Sequence, residues 1–172
     1  HPEMGLLLPE KFIHLAEETG AIIPIGLWTI REVCMRSKAW RESGLPRMPI
    51  AVNLSASQFR QEQLVPQLAE ILESTGVDAD ILELEITESM VMRDPEQAVE
   101  LMNKLSAMGV RLAIDDFGTG HSSLGYLKRF PINSLKVDRI FVRDLAHSAD
   151  DAAITRAIIA MAHSLQMNVI AE

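Results

Sequence analysis

Apolar positions along the chain follow two alternating periods. Phe12, Ile13, Leu15 and Ala16 are spaced as a helix face, which predicts a helix over 9–18 stopped by Gly20. Leu27, Ile30 and Cys34 predict a longer helix over 25–42. A continuous apolar run over 48–55 reads as a strand. Leu64, Leu68, Ile71 and Leu72 then give another helical stripe, ended by Gly76. The pattern continues with a strand over 81–87. The following helix is capped by Asp94, opened by Pro95 and completed as a capping box by Gln97. Its core face is Ala98, Leu101, Met102, Leu105 and Met108, with Gly109 as the stop.

The second half repeats the alternation. Strands are predicted over 110–114, 134–137 and 168–171, with a short helix over 122–129. A longer helix carries Ile154, Ile158, Met161, Ala162 and Leu165. Continuous apolar strands separated by helices imply a parallel sheet covered by helices. Five such strand units and two leading helices fall short of the ≈ 250 residues of a complete eight-unit barrel. A barrel would therefore need further strands, and both ends of the chain are expected to be cuts in a longer protein.

Polar residues cluster where the strands end. Asn53 closes the first strand. Glu85 lies near the end of the second, with Glu88 three residues on. Asp115 and Asp116 follow the third, Lys136 sits in the fourth with Asp138 after it, and Glu172 follows the fifth. Sites in parallel α/β folds are built at this face. One such acid usually means a cap or a turn, but five successive strand ends would bury these groups at a cost unless they were paired or bound to metal. The donors are one amide and several carboxylates, which suit Mg²⁺ or Mn²⁺ better than zinc. Adjacent Asp115 and Asp116 could serve two metals, with Lys136 holding or polarising an attacking water.

Composition narrows the classes. The chain has 172 residues, 48% of them hydrophobic, and a formal net charge of -8 from 24 acidic and 16 basic residues. That balance argues against binding DNA or RNA polymers, which needs clustered positive charge. The single cysteine, Cys34, excludes an internal disulfide and reads as a small core residue. The most apolar stretch, 21–28, is too short to span a bilayer, and the N-terminus has no signal-peptide pattern. His14, His147 and His163 lack ligand spacing. Trp28 and Trp40 are expected in helix packing or an interface. Glu83 is expected to be a solvated turn acid that strand alternation turns away from Glu85.

The same strand ends carry a family resemblance. His1-Pro2-Glu3, Ala51-Val52-Asn53-Leu54-Ser55-Ala56, Leu84-Glu85-Ile86-Thr87-Glu88-Ser89, Asp115-Asp116-Phe117-Gly118-Thr119-Gly120, Leu135-Lys136-Val137-Asp138-Arg139 and Ile170-Ala171-Glu172 occur in family order across the chain. Together they resemble the EAL domain, whose members open cyclic di-GMP to linear pGpG. The resemblance implies an α/β fold, a modified TIM barrel that is incomplete here, with residues 1–172 as one partial EAL domain. It implies two Mg²⁺ or Mn²⁺ ions on Asn53, Glu85, Asp115 and Asp116, and a catalytic water held by Lys136 and Glu172. Glu88 would steady the loop from Asp116 through Phe117, Gly118, Thr119 and Gly120. A homodimer, further signalling domains in the parent chain and a cytoplasmic location are also implied.

Some family features fall outside the chain. The glutamate of the Glu-Ala-Leu signature and the antiparallel first strand would precede His1, and a glutamine near the metals and the last strand would follow Glu172. His121 and Asn133 replace residues more common in the family. The chain taken alone is therefore expected to be inactive. Two other readings remain open: a cyclic di-GMP receptor that does not cut its ligand, and a Mg²⁺-dependent barrel enzyme that abstracts a proton beside a carboxylate.

Overall fold

A computed structural model describes residues 1–120 and 124–172. The chain divides into two compact units. The first comprises His1–Pro46 and Leu54–Val77, the second Arg47–Asn53 and Asp78–Glu172.

The first unit is helical. It contains α1 (Ile13–Glu18), α2 (Ile22–Glu42), α3 (Ala56–Phe59) and α4 (Leu64–Thr75). The helix expected over 9–18 is split, because Pro9–Lys11 forms a 3₁₀ turn before α1. Ile22, Gly26, Ile30 and Cys34 recur every fourth residue on the buried face of α2, which packs on Leu64, Leu68 and Ile71 of α4. Gly76 ends α4 in the left-handed conformation expected of a stop glycine. Cys34 is fully buried, in keeping with a core role. Trp28 and Trp40 are exposed, so neither packs inside this unit.

The second unit holds five parallel strands in sequence order: β1 (Ile50–Asn53), β2 (Leu82–Thr87), β3 (Arg111–Phe117), β4 (Ser134–Val137) and β5 (Asn168–Ala171). Among the described residues five α-helices accompany them: α5 (Glu88–Arg93), α6 (Pro95–Ala107), α7 (Leu124–Leu127), α8 (Arg139–Val142) and α9 (Ala149–Ser164). Asp94 caps α6 by accepting from the Gln97 amide. Of the helix expected over 122–129, residues 122 and 123 lie outside the described residues, as does His121. Among the described residues, no helix is long and apolar enough to cross a membrane.

Strand alternation sorts the sheet into two faces. Val52, Leu82, Leu84, Ile86, Leu112, Ile114, Leu135 and Val137 form one, all buried, with α5, α6 and α9 packed on the strands. The opposite face carries Asn53, Glu83, Glu85, Thr87, Arg111, Asp115, Ser134 and Lys136, with Ala51, Ala113 and Ile170 between them. An apolar face thus meets helices, while a polar row runs along the other side of the same strands.

Glu83 corrects the sequence reading. Side chains two apart in a strand share a face, so Glu83 and Glu85 point the same way. Glu83 is buried rather than solvated. It accepts from Arg111 Nε at 3.2 Å and from Ser134 Oγ at 3.2 Å.

Candidate functional site

Parallel pairing brings the strand-end residues together. Asn53 lies opposite Glu85 on the neighbouring strand, and Thr87 lies opposite Asp115. Between β3 and β4 the register shifts: Ile114 pairs with Leu135, but Phe117 pairs with Val137. Asp115 and Asp116 therefore span the length that Lys136 alone spans on β4. The extra residue makes a β-bulge, and Asp116 takes φ +53, a left-handed backbone that aspartate tolerates better than most residues. The strand ends at Phe117, three residues beyond its expected end.

Lys136 gathers three carboxylates. Its Nζ lies 3.0 Å from Glu85, 3.2 Å from Asp115 and 2.5 Å from Glu172. Burial alone would lower the affinity of this ammonium for its proton. Its hydrogen bonds to Glu172, Glu85 and Asp115 outweigh that and hold its pKa above the ordinary lysine range. With no metal on these carboxylates, Lys136 is held as a cation and donor.

Acid outnumbers base here. Ligand atoms of Asp115, Asp116 and Glu172 can all lie within 4.8 Å of one another. Burial, then the negative charges of Asp115, Asp138 and Glu172, push the Asp116 carboxyl above the usual range, and Lys136 only partly offsets this. Counting Glu85, four carboxylates face one ammonium.

The loop after β3 is tied to the same strands. Glu88, the first residue of α5, is buried, and its Oε2 accepts from the Gly118 amide at 2.8 Å. A Cβ on Gly120 would stand 2.7 Å from Glu88 Oε1, so the backbone approaches the carboxylate as only glycine permits. Thr119 Oγ1 donates to the Asp116 carbonyl at 2.9 Å, and Phe117 is buried. Asp138, after β4, caps α8 by accepting from the Ile140 amide at 2.8 Å.

A family model described as "EAL domain" matches residues 1–172. The chain belongs to the EAL domain family. The bifunctional diguanylate cyclase/cyclic di-GMP phosphodiesterase MucR of Pseudomonas aeruginosa is 46% identical over 172 residues, all of this chain and 25% of MucR. The cyclic di-GMP phosphodiesterase NbdA of the same organism is 44% identical over the whole chain and 22% of its own length. The chain thus spans about a quarter of these relatives. A solved structure titled "PaMucR Phosphodiesterase, c-di-GMP complex" superposes with TM-score 0.94 at 46% identity, covering 99% of this chain and 69% of that one.

The residues of this EAL chain fit a hard divalent cation. The donors are oxygens, and the negative charge exceeds what Lys136 neutralises, which is the imbalance a divalent ion would remove. Lys136 draws Glu85, Asp115 and Glu172 together, and Asp116 joins the last two. Asn53 stands opposite Glu85 by register, at the end of β1. Sequence reasoning missed the Glu83–Arg111–Ser134 layer. Its signal was present in the chain: Glu83 precedes Glu85 by two residues.

Proposed function

We propose that the complete domain containing this chain hydrolyses cyclic di-GMP to linear pGpG. The observation that carries this reading is Lys136 holding Glu85, Asp115 and Glu172 at three strand ends beside the bulged Asp116. Asn53, Glu85, Asp115, Asp116 and Glu172 would hold two Mg²⁺ or Mn²⁺ ions. Such ions, when bound, supply Lewis acidity and lower the pKa of water.

The chain's own residues do the rest. Lys136 keeps the carboxylates from separating and is placed to donate to a water or a developing negative charge. Glu172, directly after β5, is the third carboxylate on this ammonium, and in this reading it orients a water beside Lys136. Glu88 fixes the Gly118 amide and, through the loop, Asp116. We place the reaction in the cytoplasm, where a bacterial second messenger acts. A second copy of the domain and further signalling domains of the parent chain are its partners in this reading.

The test is hydrolysis of cyclic di-GMP with Mg²⁺ by the full-length protein that carries this chain, followed by chromatography. Linear dinucleotide is expected, and Asp115→Asn should lower its rate by more than about a hundredfold, the loss expected when a ligand rather than its outer support is removed. Tight binding without product would instead mark a receptor.

A further inference from the structure

Gly118 is gripped from two sides. Its amide donates to Glu88 Oε2 at 2.8 Å. An added Cβ would stand 2.7 Å from Phe141 Cε2 and 3.4 Å from its Cδ2 and Cζ, so the ring edge fills the space a side chain would take. Gly118 also has φ +102, a conformation that side chains rarely adopt. The loop is therefore built to receive an aromatic edge directly on its backbone.

Phe141 is itself anchored from the backbone. Its amide donates to the Asp138 carbonyl at 3.1 Å, and its carbonyl accepts from Thr155 Oγ1 at 3.3 Å. Thr155 is buried on α9. Phe141 thus belongs to α8 and is tied through its carbonyl to α9, while Glu88 reaches the loop from α5. Only Phe117 separates Gly118 from Asp116, and Thr119 Oγ1 returns to the Asp116 carbonyl. A shift of Gly118 toward a vacated ring position would pull on the left-handed Asp116 backbone.

We infer that Phe141 is a positioning residue: its ring is the second jaw of a clamp, together with Glu88, that holds the loop after β3 and so aims the Asp116 carboxylate. The functional consequence rests on the phosphodiesterase reading, because Asp116 matters there as a candidate metal ligand. The clamp itself does not rest on it.

The experiment compares wild type, Phe141→Leu and Phe141→Ala in the full-length protein with two readouts. Amide hydrogen exchange over residues 116–120 is followed without metal, and Mn²⁺ affinity is followed by electron paramagnetic resonance. In Phe141→Ala the loop should exchange about tenfold faster while β2 and α6 keep their protection. Mn²⁺ should bind about tenfold more weakly, the lower end of what outer supports of a metal site cost. Phe141→Leu, which keeps an apolar contact, should recover part of both. If Phe141→Ala does not fold, the leucine variant decides by the same two readouts. Unchanged loop exchange in a folded variant overturns the clamp, as does loss of protection spread evenly over the protein. A wild type that binds no Mn²⁺ overturns the phosphodiesterase reading instead, and loop exchange still decides the role of Phe141.

Discussion

Two ionic layers lie along the same face of the sheet, one strand step apart. In the lower, Glu83 meets Arg111 and Ser134. In the upper, Glu85, Asp115 and Glu172 meet Lys136, with Asp116 beside them. The lower layer balances one acid with one base and a hydroxyl. The upper layer has an excess of acid that no neighbouring group in the described residues cancels. Glu83, Ser134, Glu85, Asp115 and Lys136 are buried, while Asp116 of the upper layer is exposed. The layers also differ in their charge sum: a balanced layer serves the fold, whereas an excess of carboxylate suits a place where a cation is to be bound.

Removing Lys136 should have the largest effect. Lys136→Met leaves three carboxylates without their shared counter-ion and should lower metal-free stability by about 3–5 kcal/mol, read from the urea midpoint at constant m-value. Added Mg²⁺ should return part of that loss. Stability that is unchanged would mean the lysine is not what holds the acids together.

The lower layer should respond less and without a functional echo. Arg111→Met should cost about 1–2 kcal/mol, reduced because a third of the arginine side chain meets solvent. The metal requirement for hydrolysis should not move. A large rise in that requirement would show that the two layers act as one.

The smallest effect has the opposite sign. The pKa of Asp116 is raised in the fold, so its ionised form opposes folding at neutral pH, and that opposition fades as pH falls through the raised value. Asp116→Asn removes the charge at every pH and suits a left-handed backbone. The metal-free variant should melt about 1–2 °C higher at pH 7, with the difference shrinking toward acid pH. Scanning calorimetry without metal, and again with Mn²⁺, should show the intrinsic gain together with a smaller metal-induced rise.

Much of this arrangement was legible in the chain. The strands 134–137 and 168–171 have the expected bounds, because apolar runs between polar turns admit little else. Three short helices, α3, α5 and α8, were not foreseen. Each is one turn or little more, too brief for a periodic stripe, although Ser55 and Asp138 cap two of them in recognisable ways. The end of β3 was misplaced because Asp-Asp-Phe-Gly has the composition of a turn, whereas the pairing continues through a bulge. Glu83 was misread through a misapplied alternation, not through any ambiguity in the residues. The Lys136 hub depended on which strands are neighbours, which residue types suggest but spacing along the chain does not fix.

The bulge makes chain length itself a determinant of the site. Three residue steps on β3 match two on β4 between the flanking pairs. Deleting either aspartate would let the ladder close into regular pairing while leaving one acid in place. Such a deletion would alter few letters of the sequence, yet it would abolish the offset that sets two consecutive carboxylates beside one lysine. This segment should therefore be far less tolerant of insertions and deletions than the loops of similar polarity elsewhere in the chain.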